Sequence, residues 1–173
     1  MKQVHIRRHA PKHAAGHLTE EGKKLARDFK KQLDTYDLII SSNKPRAVET
    51  AELLTGMKPV VDKRAGTPPF TLEQEQKLHE LGEDHEFGIA GVILDNPEFR
   101  AMIKPQGEKL VQLILETLEK LPKNGKALII SHDGVMVTAE KILKNKPLDK
   151  AEKTYEPLQG FKLHEDGTIE DLM

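Results

Sequence analysis

Three short apolar runs, each delivering an arginine or a histidine where it ends, constrain this chain more than any other feature. Val4-His5-Ile6 runs into Arg8-His9; Leu38-Ile39-Ile40 runs into Ser41-Ser42 and, four residues on, Arg46; Ala127-Leu128-Ile129-Ile130 runs into Ser131-His132-Asp133. Continuous apolar runs this short read as strands covered on both faces. In open α/β sheets, ligands bind beyond the carboxyl ends of the strands. If three such strands lie side by side, two histidines and two arginines converge on one spot.

The intervening segments read as helices. Thr19 is an N-cap, Glu20 and Glu21 suit the positive end of a helix dipole, and Leu25, Ala26, Phe29 and Leu33 form a stripe. Pro45 fits the first turn of a second helix, with Ala47, Val48, Ala51 and Leu54 on its buried side. Val60-Val61 reads as a further strand. Residues 62–107 hold four prolines and five glycines and read as a partly helical, cap-like insertion over the site. Leu110, Val111, Ile114, Leu118 and Leu121 then share a helical face, and Val135, Met136, Ala139, Ile142 and Leu143 mark the last helix. Phe161–Leu163 and Thr168–Leu172 form a hairpin about Asp166-Gly167. This alternation predicts one domain over residues 1–173: a three-layer, doubly wound α/β fold with a mostly parallel sheet and helices on both faces.

Composition removes several function classes. Lys plus Arg (27) nearly cancels Asp plus Glu (28), so the net charge of −1 offers no bulk attraction to nucleic acid or an anionic membrane. Aromatic residues are 4% of the chain and none is Trp, which argues against stacking on bases. The chain has no Cys, hence no disulfide and no thiolate metal site, and a cytoplasmic location is expected. No apolar run has the ~20 residues of a membrane span. No His pair has helical metal-ligand context, no Gly-x-Ser-x-Gly elbow is present, and no Gly-x-x-x-x-Gly-Lys loop occurs. The apolar stripes fit core helices and interfaces alike, leaving the oligomeric state open.

Arg8, His9, Arg46 and His132 suit phosphoryl transfer. The non-bridging oxygens need fixed cationic donors, which the planar fork of Arg supplies, and a neutral imidazole is a competent nucleophile. Positive neighbours keep such an imidazole neutral. A leaving alkoxide needs a proton, for which Glu80, Glu83, Asp84 and Asp133 are candidates.

In this order the motifs resemble the histidine phosphatase superfamily, which includes the cofactor-dependent phosphoglycerate mutases. The opening Arg-His-Gly reads Arg8-His9-Ala10 here, and Leu-Thr-x-x-Gly reads Leu18-Thr19-Glu20-Glu21-Gly22. The Ser-Ser-x-x-x-Arg-x-x-x-Thr-Ala segment spans Ser41 to Ala51, and Ser-His-Gly-Gly becomes Ser131-His132-Asp133-Gly134. The resemblance implies that His9 is phosphorylated in turnover and that Arg8, Arg46 and His132 bind the phosphoryl group. It implies no metal or other cofactor and a small phosphorylated substrate.

It also implies Glu80 as the acid, through Leu78-His79-Glu80, with Asp133 as its rival because the phytase branch carries a His-Asp pair there. Lys12 and Asp133 are expected to contact substrate. The expected activity is a metal-independent phosphomonoester phosphatase. The alternatives are a phosphoglycerate mutase-type transferase, a phosphohistidine protein phosphatase, and a phosphate-binding module without chemistry.

Overall fold

The computed structural model describes residues 1–14 and 16–173. In chain order they form β1 (Gln3–Arg8), α1 (Glu20–Phe29), β2 (Leu38–Ser41), α2 (Pro45–Thr55), β3 (Val60–Val61), α3 (Leu72–Gly82), α4 (Gly88–Asp95), α5 (Pro97–Lys120), β4 (Lys126–Ser131), α6 (Asp133–Leu143), β5 (Gly160–His164) and β6 (Ile169–Leu172). One sheet runs in the order β3-β2-β4-β1-β5-β6. The first four strands in that order are mutually parallel, and β5 and β6 add an antiparallel edge.

Alternation along β4 builds the three layers. Ala127 and Ile129 face a core shared with Leu110 and Ile114 of α5 and Met136 and Ala139 of α6. Leu128 and Ile130 face the other way, onto Ala26 of α1 and Ala47, Ala51 and Leu54 of α2. Each buried aliphatic side chain contributes roughly 1.5–3 kcal/mol. β1 follows the same period: Val4 and Ile6 join the first core, while His5 and Arg7 turn to the second face. Both polar residues are buried and partnered. His5 Nδ1 meets the Tyr36 hydroxyl at 2.8 Å; Arg7 Nη1 donates to the Leu158 carbonyl at 2.7 Å and lies 4.9 Å from the Phe29 ring centre.

Local sequence fixes the loop after β1. The Thr19 hydroxyl caps α1 by accepting from the Gly22 N–H, and the Thr19 N–H donates to the Pro11 carbonyl. A Cβ at Gly22 would stand 2.2 Å from that carbonyl oxygen, so only glycine lets the helix seat there. The Leu-Thr-x-x-Gly motif thus anchors the chain that leaves His9.

Residues 62–107, expected to be partly helical, are more helical than their prolines and glycines suggest. They carry α3, α4 and the first turns of α5, and no boundary falls at 107, because α5 starts at Pro97 and runs unbroken to Lys120. Pro and Gly suggest loop in sequence, but here they sit where a helix tolerates them. Pro97 occupies the first turn, capped by Asn96. Pro105 lies on the exposed face with Ala101, so the carbonyl it leaves unbonded faces water. Gly107 lets α5 press on α6, since a Cβ there would come within 2.4 Å of Thr138 Cγ2. Further along, α3 opens with a capping box in which the Thr71 and Gln74 side chains each bond the other's backbone N–H.

Candidate active site

β2, β4 and β1 are adjacent, and their carboxyl ends lie level: Arg8 pairs with Ser131, and Ser41 with Ile130. The next residue of each strand therefore lands on one ledge. The His9 N–H donates to the Ser131 carbonyl at 3.2 Å and the Ser42 N–H to the Ile130 carbonyl at 3.1 Å. His132 is held between them, its ring 5.2 Å from that of His9, centre to centre. Arg46 arrives in the first turn of α2. Arg8, His9, Arg46, His132, Asp133 and Lys12 all line one cavity of about 720 Å³.

Hydrogen bonding gives the two imidazoles different roles. His9 Nδ1 lies 2.7 Å from the Ala10 carbonyl, which only accepts, so Nδ1 carries the proton and Nε2 keeps a free lone pair. His132 Nε2 lies 2.8 Å from the buried Ser42 hydroxyl, whose other contact is as acceptor of the Lys44 N–H. The hydroxyl proton then goes to Nε2, which leaves Nδ1 of His132 as an N–H donor. Burial is the main cause that pushes His9 down to about 3; Arg8, Arg46 and Lys12 add to it, against the Ala10 bond. Burial likewise holds His132 well below the usual histidine value, helped by His9 and Arg46. Both rings are neutral at neutral pH.

The hydrogen-bond donors are equally poised. Among the described residues, five buried side-chain nitrogens lack a hydrogen-bond partner, and three of them, Arg8 Nε, Arg46 Nε and His132 Nδ1, belong to residues lining this cavity. Neither α2 nor α6 has a side-chain N-cap bond; Pro45 has no N–H and the Ala47 N–H bonds the Lys44 carbonyl, so α2 offers an anion the Arg46 N–H, while α6 offers the N–H groups ahead of Met136. Thr50 moors the floor: its hydroxyl donates to the Arg46 carbonyl at 2.6 Å and accepts from the Ala10 N–H at 3.0 Å. The hydroxyl acts on backbone and leaves the Arg46 guanidinium alone.

The acid is where structure and sequence part. Glu80 is exposed, accepts from Gln76 at 3.4 Å, and is absent from the cavity lining. The reason is helical phase: α3 turns Glu75, His79 and Glu83, spaced by four, toward the cavity, and Glu80 lies about 100° further round. Asp84 is also off this lining, while Glu83 and Asp133 are on it. Asp133 is 8% exposed; Oδ1 accepts from the Tyr155 N–H at 2.6 Å and Oδ2 from the Thr154 hydroxyl at 2.5 Å. Burial raises its carboxyl above the usual aspartate value, outweighing Arg8 and the two donors. Sequence reasoning missed Ser42 as the partner of His132, and Glu75 and His79 as wall residues. The Thr71–Gln74 capping pattern was the available signal for α3 and hence for its phase. Among the described residues, no group of three or more His, Asp or Glu is placed to hold a metal ion, and no helix is long and apolar enough to cross a membrane.

These imidazoles tie acid stability to the site. His5, buried beside Tyr36, is also pushed down, mainly by burial, to about 4. Because the folded values lie below the unfolded 6.5, the unfolded chain binds more protons between them, so stability is complete above about pH 6.5 and falls below it. For His5 alone the loss reaches about 3 kcal/mol by pH 4. Urea midpoints are expected to be flat above pH 7 and to drop steadily from pH 6.5 to 4, less so in His5→Gln; a constant midpoint from pH 7 to 5 would contradict this.

No family model matches the chain, and no curated protein does so either. Solved structures do. A mycobacterial glucosyl-3-phosphoglycerate phosphatase complexed with VO3 superposes with TM-score 0.73 at 16% identity, over 99% of this chain and 97% of that one. A histidine-to-alanine variant of phosphoserine phosphatase from Entamoeba histolytica, in complex with phosphoserine, gives TM-score 0.73 at 18% identity, over 100% and 96%. A phosphoglycerate mutase from Bacillus anthracis gives 0.67 at 17%, over 98% and 90%. Near-complete coverage in both directions, with phosphatases and a mutase alike, fixes the architecture: the chain has the histidine phosphatase fold.

Proposed function

We propose that this protein belongs to the histidine phosphatase superfamily and is a phosphatase that hydrolyses a small phosphomonoester through a phosphohistidine at His9, without a metal. The observation that carries this reading is the complementary pair on the cavity floor: a free lone pair on His9 Nε2 and a free N–H on His132 Nδ1, flanked by Arg8 and Arg46. His9 Nε2 attacks phosphorus and the ester P–O bond breaks, while Arg8, Arg46 and the His132 N–H hold the non-bridging oxygens. Asp133, whose carboxyl burial pushes above the usual aspartate value, gives its proton to the leaving alkoxide. Its carboxylate then takes a proton from water as the water oxygen attacks phosphorus and the P–N bond breaks, restoring neutral His9. Glu80 has no part in this, because its helix turns it away. Lys12 lies on the lining where the remainder of the substrate sits.

Hydrolysis is favoured over mutase chemistry by the wall. Glu75, Glu83 and Glu86 line the same cavity and would repel the carboxylate of a phosphoglycerate. The expected compartment is the cytoplasm. The reading is tested by phosphate release from p-nitrophenyl phosphate and from alkyl phosphomonoesters. Turnover should persist in excess EDTA and be blocked by vanadate; abolition by EDTA overturns the metal-free reading. Incubation with 3-phosphoglycerate and its bisphosphate should release phosphate at most, and steady formation of the 2-phospho isomer overturns the choice of hydrolysis.

A further inference from the structure

Behind the cavity lies a buried pair that the proposed chemistry does not use. Glu140, 3% exposed, sits on α6 two turns after Asp133 and so on the same helix face. Tyr155, 4% exposed, donates its hydroxyl to the Glu140 carboxylate. Neither residue lines the cavity. Glu140 is further held by Lys144 at 2.7 Å and Lys153 at 3.0 Å. A carboxylate this deep is retained only when its partners are complete.

The backbone of Tyr155 reaches the site from the other side. Its carbonyl accepts from Arg8 Nη1 at 2.5 Å, and its N–H donates to Asp133 Oδ1 at 2.6 Å. The neighbouring Thr154 hydroxyl donates to Asp133 Oδ2. A single peptide segment therefore orients both the guanidinium that meets the phosphoryl oxygens and the carboxyl that meets the leaving group. That segment belongs to the long connection from α6 to β5, residues 144–159, which has no helix or strand of its own. Main-chain bonds hold its far end, where the Leu158 N–H donates to the Arg8 carbonyl and the Arg8 N–H to the Gln159 carbonyl, but at Tyr155 itself the buried anchors are side chains: Asp133 at its N–H and Glu140 at its hydroxyl.

We infer that Tyr155 and Glu140 are positioning residues that set Arg8 and Asp133 from behind the active site. This rests on the reading of Arg8 as a phosphoryl clamp and Asp133 as the acid. A misplacement of about 1 Å in a reacting group costs up to ~10²-fold in rate. Losing the anchor should therefore act on both functions at once, without any contact to substrate having been removed.

The test compares Tyr155→Phe, Glu140→Leu and Glu140→Gln with wild type, at a temperature where circular dichroism shows each folded. Glutamine keeps an acceptor for the Tyr155 hydroxyl, so Glu140→Gln should stay near wild type although its ion pairs are gone. Tyr155→Phe and Glu140→Leu should each lower kcat for an alkyl phosphomonoester on the order of tenfold or more. They should also weaken inorganic phosphate binding, read by calorimetry, and move the pH–rate limb that reports the acid. A folded Tyr155→Phe with wild-type kcat, phosphate affinity and pH profile overturns the inference, as does Glu140→Gln failing as badly as Glu140→Leu. Should Tyr155→Phe not fold, the Leu–Gln pair at 140 decides alone. If wild type binds no phosphate and releases none from any ester, it is the underlying reading of the site that fails.

Discussion

Replacing His9 by alanine is expected to remove phosphate release from p-nitrophenyl phosphate, by a factor on the order of 10⁴ or more, while the fold persists. The loss is expected to be large because, under the proposed chemistry and among the described residues, the attack falls to the free lone pair on His9 Nε2; the nearby Ser42 hydroxyl is committed to His132. The fold persists because His9 contributes one side-chain bond, to the Ala10 carbonyl, and its ring is buried at the expense of its charged form. The variant should even lose less stability than wild type between pH 6.5 and 4, since the wild-type ring resists a proton that the unfolded chain accepts. Labelled substrate quenched in alkali, where a P–N bond survives, should leave label on wild type and none on His9→Ala. Label retained on the variant, or turnover by it, would falsify His9 as nucleophile.

Replacing Asp133 by asparagine is the second large effect, and its signature is selectivity. Asparagine matches the shape and still accepts from the Tyr155 N–H, but it has no proton to give. An alkoxide leaving group then departs unaided, and kcat for alkyl phosphomonoesters should fall ~10²–10⁴-fold. Nitrophenolate needs little protonation, so p-nitrophenyl phosphate should suffer far less. Equal losses on both substrates would show that Asp133 serves Arg8 and not the leaving group. Glu80→Gln, in the same assays, should behave as wild type.

Much of the architecture was legible because period and caps agree. Thr19, Pro45 and Asp166-Gly167 mark the boundaries at which elements start or turn, and the apolar runs at 38–40 and 127–130 are the covered strands they suggest. Residues 62–107 were the hard part. Prolines and glycines ordinarily signal loop, yet Pro97, Pro105 and Gly107 all lie in one helix: Pro97 in its first turn, Pro105 on its exposed face, and Gly107 where α6 presses against it. The missing helix positions carried into the site: a partly helical segment without a placed α3 has no phase, and without phase Glu80 looks as well placed as Glu83. His5 and Arg7 are polar residues within a strand, and what lets that strand be covered on both faces, their enclosure by Tyr36, Phe29 and the Leu158 carbonyl, comes from distant parts of the chain. The ledge of Arg8, His9, Arg46 and His132 was readable because it depends only on which strands end where.

The Thr50 mooring has a wider consequence. A hydroxyl bonded to the amide beside His9 and to the carbonyl of Arg46 ties the start of α2 directly to the tip of β1. A displacement of that helix would strain this tie, so the spacing of His9 and Arg46 is set by one side chain that belongs to neither. Among the described residues the opposite wall, α3 and α4, shares no such hydrogen bond with the ledge, and it is there that a lineage could remodel which molecules are admitted while leaving the ledge untouched.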